Sequence, residues 1–396
     1  MRNTYRVRAD ISLDALEYNI RQIKAKIRPE TKLMCVIKAN AYGHGAAVLA
    51  QELLAMGADS FAVATADEGV ELRRNGIEVP ILILGYVNKE EYPMVISYDL
   101  TPTVSSYTTA KDLDKAADKL GKVVNIDIKI DTGMSRIGFK VSEESVKSIK
   151  MIDSLLHNVK IHGIFTHFSC ADCEDDQLTK KQAEKFITMI DHLKKCGVDI
   201  PCRHCANSAA IMRYPEFQMD MVRAGIIIYG LYPSEEVDKS LLPLKPVMSL
   251  KSRIVHIKKV EAGTPVGYGA TFVCKRPTRI ATVSIGYADG YPRTMSNRGR
   301  VLIDNNSYPI IGRVCMDQLM VDITDAVTEI NQGDEVTLIG GQGSEAVSAE
   351  EVAAPGGSFN YELVCNVNRR VPRVYLRNGH AVREVNYLDQ ITKSQI

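Results

Sequence analysis

Apolar and charged residues alternate at the start of the chain. Tyr5, Val7, Ala9 and Ile11 are apolar and Arg6, Arg8 and Asp10 charged, the period of a half-buried strand. Ser12 can cap the helix that follows, whose Leu13, Leu16, Ile20 and Ile23 recur at helical spacing. Short apolar runs then take turns with amphipathic stretches. The runs at 32–38, 59–64, 80–85, 99–103, 123–130, 159–167, 199–205 and 225–230 read as strands. Between them, Thr65-Ala-Asp-Glu68 is a capping box, Asn75-Gly76 ends its helix, and Gln177 to Lys195 is a helix that stops at Gly197. Eight strands alternating with helices predict an α/β fold, a (β/α)8 barrel over residues 12–240.

After about residue 240 the period changes. Leu250–Val260, Thr278–Ser284, Arg300–Ile303, Tyr308–Ile311, Leu319–Ile323, Glu335–Ile339 and Val371–Leu376 read as strands joined by turns, with helix only near Ser348 to Ala353. Residues 241–396 are thus expected to form a mostly antiparallel β-domain. The strand within 1–11 has no place in the barrel count and is expected to join that sheet.

Composition removes several classes of function. The 396 residues leave room for two domains. Forty-nine basic residues against 48 acidic ones argue for neither nucleic acid nor a membrane surface as partner. The first ten residues lack the apolar core of a signal peptide, and no run reaches the ~18 apolar residues of a membrane span. Nine cysteines, an odd number, fit reduced thiols in a cytoplasmic protein.

Chemistry concentrates in a few stretches. Val36-Ile-Lys38-Ala-Asn-Ala-Tyr42-Gly-His-Gly45 places a lysine at the carboxyl end of a buried strand, where α/β proteins keep their chemistry. A partly desolvated Lys38 would be a nucleophilic amine able to form a Schiff base, although a solvated strand-end lysine would look the same. In Val124 to Asp131, Asn125, Asp127, Lys129 and Asp131 alternate with apolar residues. The outer face of a barrel strand lies under helices, so this polar row is expected inside the barrel, with Lys129 in a network with its carboxylate neighbours. An antiparallel strand with one wet face would show the same alternation. Thr132-Gly-Met-Ser-Arg136 sets a fixed cation above that strand. His167 ends the sixth strand, where a packed core histidine is the alternative to a catalyst. Ser208 follows the seventh strand and Arg223-Ala-Gly225-Ile226 leads into the eighth, the loops where barrels bind phosphate.

Two other patterns point elsewhere. Cys170-x2-Cys173 and Cys202-x2-Cys205, with His204, have zinc-ligand spacing within each pair, but the pairs are too far apart for the usual ribbon. Gly341-Gln-Gly343-Ser-Glu-Ala346 matches a dinucleotide fingerprint without the parallel strand and acidic residue that should follow, which favours a surface loop.

Val36–Gly45, Lys129–Gly138, Ala206-Asn-Ser208, Arg223-Ala-Gly225, Gly267-Tyr-Gly269, Gly286-Tyr-Ala-Asp-Gly290, Gly312-Arg-Val-Cys-Met-Asp317 and Arg370-Val-Pro-Arg373 together resemble alanine racemase, in the family's order and over nearly the whole chain. The resemblance implies a barrel plus β-domain enzyme that uses pyridoxal 5′-phosphate (PLP), acts as a homodimer and supplies D-alanine for peptidoglycan. Lys38 would hold PLP and act as one base, with Tyr268 of the partner subunit as the opposite base. Tyr42, Ser208, Gly225 and Ile226 would hold the phosphate, Arg223 would face the pyridine nitrogen, Arg136 the phenolic oxygen and His167 the ring. Met316 of the partner subunit would line the substrate carboxylate site with Arg136, and Tyr287 and Asp317 would stand nearby. In many relatives the lysine matching Lys129 carries a carbamate that orients the arginine. One position departs from the pattern: Arg369 stands where the family commonly has a tyrosine that contacts the phosphate and borders the substrate pocket. Serine or a broader set of amino acids is therefore the alternative substrate. A PLP-dependent decarboxylase shares the architecture but needs no second base.

Overall fold

The structure, a computed structural model, describes residues 5–341 and 343–391. It divides into two compact units, one formed by 16–41 and 45–245, the other by 1–15, 42–44 and 246–396. Among the described residues no helix is long and apolar enough to cross a membrane.

In the first unit, eight strands pair in parallel in the order Met221–Ala224, Lys32–Val36, Ser60–Val63, Ile81–Ile83, Thr101–Val104, Val124–Asp131, Val159–Phe165 and Cys202–His204. The two end strands come together through Asp220 N donating to Arg203 O (3.2 Å) and Arg223 N to Ala206 O (3.0 Å), which rolls the sheet into a barrel. Parallel strands need crossovers, and the intervening helices start at side-chain caps. Thr65 Oγ accepts from Glu68 N, Ser106 Oγ from Thr109 N and Ser142 Oγ from Ser145 N. Those helices bury Leu72, Leu113, Ile149 and Ile152 against the barrel.

Two expectations about strands need correction. The apolar run Ile226–Tyr229 is not the eighth strand. It forms a 3₁₀ turn, and the strand is the preceding Met221–Ala224, with Arg223 in it. All of Ile226–Tyr229 is buried. Its β-branched residues therefore report burial rather than extension, and Gly225 at φ −118°, ψ −105° turns the chain between the two segments. The fourth-strand run at 99–103 also shifts, because Asp99 at φ +50° delays extension until Thr101–Val104.

The second unit is built on a nine-stranded sheet in the order Thr278–Val283, Leu319–Asp322, Asn306–Ile311, Arg300–Ile303, Glu335–Ile339, Met248–Val260, Val7–Ser12, Arg373–Arg377 and His380–Val385. The 13-residue strand Met248–Val260 pairs with Glu335–Ile339 along its first half and with Thr278–Val283 along its second. A register shift between Ile254 and His256 lets it leave one partner for the other, which curls the sheet back on itself. Val7–Ser12 lies between Met248–Ser252, antiparallel, and Arg373–Leu376, parallel. Beside the helix Ala349–Ala353, a second helix, Asn360–Cys365, was not legible in the apolar period. In the glycine-rich stretch the described residues Gly343–Glu345 form a 3₁₀ turn, Gln342 lies outside the described residues, and Gly340 and Val347 on either side exchange backbone hydrogen bonds of 2.8 and 2.9 Å.

Candidate active site

Lys38 does not end its strand. Extension stops at Val36, and Lys38 opens a left-handed turn in which Ala39, Asn40, Ala41 and Tyr42 have φ of 51°, 55°, 53° and 50°. That conformation costs a residue with a Cβ roughly 1–2 kcal/mol, so four in a row require bonds that impose it. Ala41 N donates to Ile37 O (2.9 Å), Gly45 N to Asn40 O (2.9 Å) and Ala46 N to Asn40 Oδ1 (2.9 Å). Ala39 N donates to Glu68 Oε1 (2.6 Å), while Glu68 Oε2 accepts from Ala64 N (2.7 Å). Glu68, legible only as half of a capping box, thus also staples the lysine-bearing turn to the end of the neighbouring strand.

The polar row of Val124–Asp131 faces inward in part: Asp127 and Lys129 are buried, Asp131 is half-buried and Asn125 is exposed. The expected pairing of Lys129 with its carboxylate neighbours is wrong. Asp127 is taken by two histidines, its Oδ1 lying 3.1 Å from His162 Nδ1 and its Oδ2 3.2 Å from His204 Nε2. Burial pushes the Asp127 carboxyl up, but hydrogen bonds from His162 and His204 overcome it and hold the group at about 2. Gly163, its register partner, leaves the room: a Cβ there would fall 2.7 Å from Asp127 Oδ1.

On its other side His204 Nδ1 lies 2.8 Å from Arg223 Nη1. A guanidinium can only donate, so Nδ1 accepts, Nε2 carries the proton and that N–H donates to Asp127. Burial, with Arg223 alongside, holds His204 down at about 4, which keeps this neutral tautomer. Arg223 also donates to the carbonyls of Thr166 (2.7 Å), His204 (3.0 Å) and Cys205 (3.2 Å), and its Nη2 lies 3.4 Å from His167 Nδ1. His204 entered the sequence reading only beside the cysteine pairs, and nothing local marks it as the link between a buried arginine and a buried carboxylate.

Lys129, 4% exposed, donates to Ile130 O (3.0 Å) and lies 5.2 Å from the centroid of the Phe165 ring. Burial first, then the charges of Arg223 and Arg136, bring its ammonium down to about 7, with Asp131 opposing. Asp131 itself accepts from Gly133 N and Ser135 N (2.9 and 3.0 Å), shaping the loop that carries the exposed Arg136. His167 is held neutral by burial and by four cations, Arg223, Lys129, Arg136 and Lys38. At the next loops Ser208 Oγ accepts from Gly225 N (2.9 Å), tying together two of the residues expected to hold a phosphate, with Ile226 fully buried behind them.

The other candidate residues belong to the second unit. Tyr42 is buried there with its ring 6.0 Å from that of Tyr361, and burial raises its phenol. The next residue, Gly43, has φ +81° and passes so close to Val364 O that a Cβ would lie 2.1 Å from it. Tyr268 is 70% exposed between Gly267 and Gly269, both at φ +72°, where added Cβ atoms would meet Met320 and Arg313. Tyr287 N and Ala288 N donate to Cys315 O and Met316 O (3.1 and 3.0 Å), so the tyrosine and methionine loops stand or fall together. Beneath them Arg370 bridges the buried Asp289 (2.8 Å) and Asp317 (2.7 Å). Arg369 is exposed, its guanidinium 5.8 Å from the ring of Tyr387, which Arg373 approaches at 5.6 Å. Among the described residues no three of His, Cys, Asp and Glu gather to hold a metal, the two cysteine pairs included.

Two family patterns match in sequence: that of the alanine racemase N-terminal domain over residues 11–233 and that of its C-terminal domain over 247–375. This chain belongs to the alanine racemase family. It is 46% identical over 380 residues to the alanine racemase of Clostridium novyi, which covers 96% of this chain and 98% of that one. It superposes on the solved alanine racemase of Clostridium difficile 630 with a TM-score of 0.94 at 44% identity, over 98% of this chain and all of that one. The Bartonella henselae alanine racemase, solved with covalently bound pyridoxal phosphate, is 30% identical with a TM-score of 0.82 over 94% of this chain and all of that one.

As an alanine racemase the chain is an isomerase, and its barrel unit suits an anionic, phosphorylated cofactor. Lys38, Lys129, Arg136 and Arg223 converge on one histidine at the carboxyl end of the strands, while the nearest buried carboxylate, Asp127, is consumed by two histidines. Such a cluster of cations is stabilised by an anion that enters among them.

Proposed function

We propose that this racemase interconverts L- and D-alanine with PLP, held covalently by Lys38, as a cytoplasmic homodimer that supplies D-alanine for peptidoglycan. The observation that carries the reading is Lys38, set in a strained left-handed turn, pressing with Lys129, Arg136 and Arg223 on a neutral His167. When bound, PLP supplies the sink for the electron pair left when the Cα–H bond breaks.

The chain's own groups do the rest. Lys38 Nζ takes or returns the α-proton on one face, and the phenol of Tyr268 of the partner subunit serves the other, so a proton leaves one side and arrives on the opposite one. Exposure of Tyr268, Met316 and Tyr287 on the second unit supports a subunit contact there. Arg223 offers only N–H donors and no carboxylate, so the pyridine nitrogen would accept from it with its lone pair and stay unprotonated. With Arg223 there, PLP would be a weaker electron sink, which would limit side reactions. Arg136 would hold the cofactor's phenolic oxygen and, with Met316 of the partner subunit, the substrate carboxylate. Tyr42, Ser208, Gly225 and Ile226 would hold the phosphate, His167 would lie against the ring, and Tyr287 and Asp317 would brace the Met316 loop. Lys129, brought down to about 7, is an amine neutral enough to add CO2 as a carbamate that would orient Arg136.

The test is product chirality from L-alanine with wild type and Lys38→Ala. Wild type yields D-alanine, and the variant is expected to lose the visible absorbance of bound PLP together with all measurable turnover. Near-normal racemisation by Lys38→Ala would sink the assignment.

A further inference from the structure

The amino-terminal mouth of the barrel, opposite the end that carries Lys38, is not closed. A cavity of about 180 Å³ opens there among the first residues of the strands, lined in part by Lys32, Asp59, Ser60, Asp127, His162 and Cys202. Asp127 is 1% exposed and forms the cavity's inner end, whereas the His162 side chain is 38% exposed and meets solvent. From that mouth one connected series of polar contacts crosses the barrel. His162 Nδ1 lies 3.1 Å from Asp127 Oδ1, Asp127 Oδ2 3.2 Å from His204 Nε2, and His204 Nδ1 2.8 Å from Arg223 Nη1.

We propose that His162 is a positioning residue for Arg223, acting from the solvent-filled mouth of the barrel through Asp127 and His204. The inference rests on the reading of Arg223 as the residue at the cofactor nitrogen. An ionised Asp127 offers His204 nothing but acceptors, which favours the Nε2–H tautomer, and only that neutral tautomer presents a bare Nδ1 to the guanidinium. Burial works against the ionised carboxyl, and the His162 N–H is one of the two donors that sustain it. Without His162, Asp127 keeps one of those two donors, its carboxyl moves up and it accepts less strongly from His204. The hold that fixes the His204 proton on Nε2, and through it the guanidinium, is then weakened. The Asp127 hydrogen bond raises His162 against burial, with the charge of Asp127 adding and Lys32 and Lys160 opposing. The groups facing His162 are thus this carboxylate and two lysines.

Nitrogen-15 NMR of histidine-labelled enzyme reads His204 directly, with or without cofactor. Wild type should show Nε2 protonated and Nδ1 bare across neutral pH. His162→Leu should shift both nitrogens of His204 away from that pattern and lower kcat about tenfold at nearly unchanged KM, the scale of one charge-assisted hydrogen bond. His162→Gln, which keeps an N–H donor but cannot ionise, should hold both within about twofold. Wild type with Nδ1 of His204 protonated, or a folded His162→Leu with His204 unchanged, overturns the proposal. The wild-type and glutamine spectra decide it even if the leucine variant does not fold. In holoenzyme carrying PLP labelled at its ring nitrogen, a His204 response without any change at that nitrogen supports the path to Arg223. The same result refutes instead the placement of Arg223 at the cofactor.

Discussion

Replacing Lys129 with methionine should stabilise the cofactor-free protein while damaging its function. The residue is 4% exposed, its ammonium is faced by Arg223 and Arg136, and it donates a hydrogen bond to Ile130 O. In the unfolded chain the amine keeps its proton up to about 10.5, and in the folded protein only up to about 7. Between those values the unfolded state holds one more proton, so folding stability rises with pH by about 1.4 kcal/mol per pH unit. Below 7 both states are protonated and the slope vanishes, leaving the full cost of the buried charge, about 5 kcal/mol. Methionine fills most of the same volume without charge. Urea unfolding of cofactor-free wild type and Lys129→Met in CO2-free buffer, at one protein concentration and at pH 6, 8 and 10, measures the difference. The variant should be more stable by up to about 5 kcal/mol at pH 6, with the gap closing toward pH 10. A constant difference across that range, or a less stable variant at pH 6, would refute the account of Lys129 as an uncompensated buried cation. Racemisation by the variant should fall, because Arg136 loses the neighbour proposed to orient it.

Other expectations follow from the same geometry. Mixing inactive Lys38→Ala and Tyr268→Phe subunits, with exchange verified by mass, should restore activity through heterodimers with one intact site; no recovery would place both bases in one chain. Gly43→Ala should cost about 2–4 kcal/mol in urea unfolding, since its Cβ meets the Val364 carbonyl at 2.1 Å and φ is +81°; a loss under 0.5 kcal/mol would mean that the turn relaxes freely. Arg369→Tyr should lower the serine-to-alanine ratio of kcat/KM, because a long guanidinium walls a pocket less closely than a phenol and a pocket seldom rejects one added hydroxyl by more than about a hundredfold. An unchanged ratio would mean that Arg369 is committed to the ring of Tyr387, 5.8 Å away, and not to the substrate.

The residue pattern alone determined a good deal of this protein. Period-two and period-3.6 runs placed seven of the barrel strands within a few residues, the helix Gln177–Lys195 at its observed ends, and Val124–Asp131 as a strand with polar groups turned inward. Those features are local, since a strand or helix buries one face and writes that face into its own period. The ordered motifs did the same for the family. Tertiary structure decided the partners. Asp127 could have paired with Lys129 two residues away, yet it binds His162 and His204, 35 and 77 residues away in the chain. Alternation says which side chains point inward, but the barrel's radius and register say which of them meet. The left-handed turn at Lys38 was equally illegible, because alanine and asparagine adopt it only where contacts such as Glu68 to Ala39 N hold them there. The eighth strand went astray for the same reason. An isoleucine run signals burial wherever it lies, while the buried arginine that belongs to the strand is tolerated only because His204 and three carbonyls surround it.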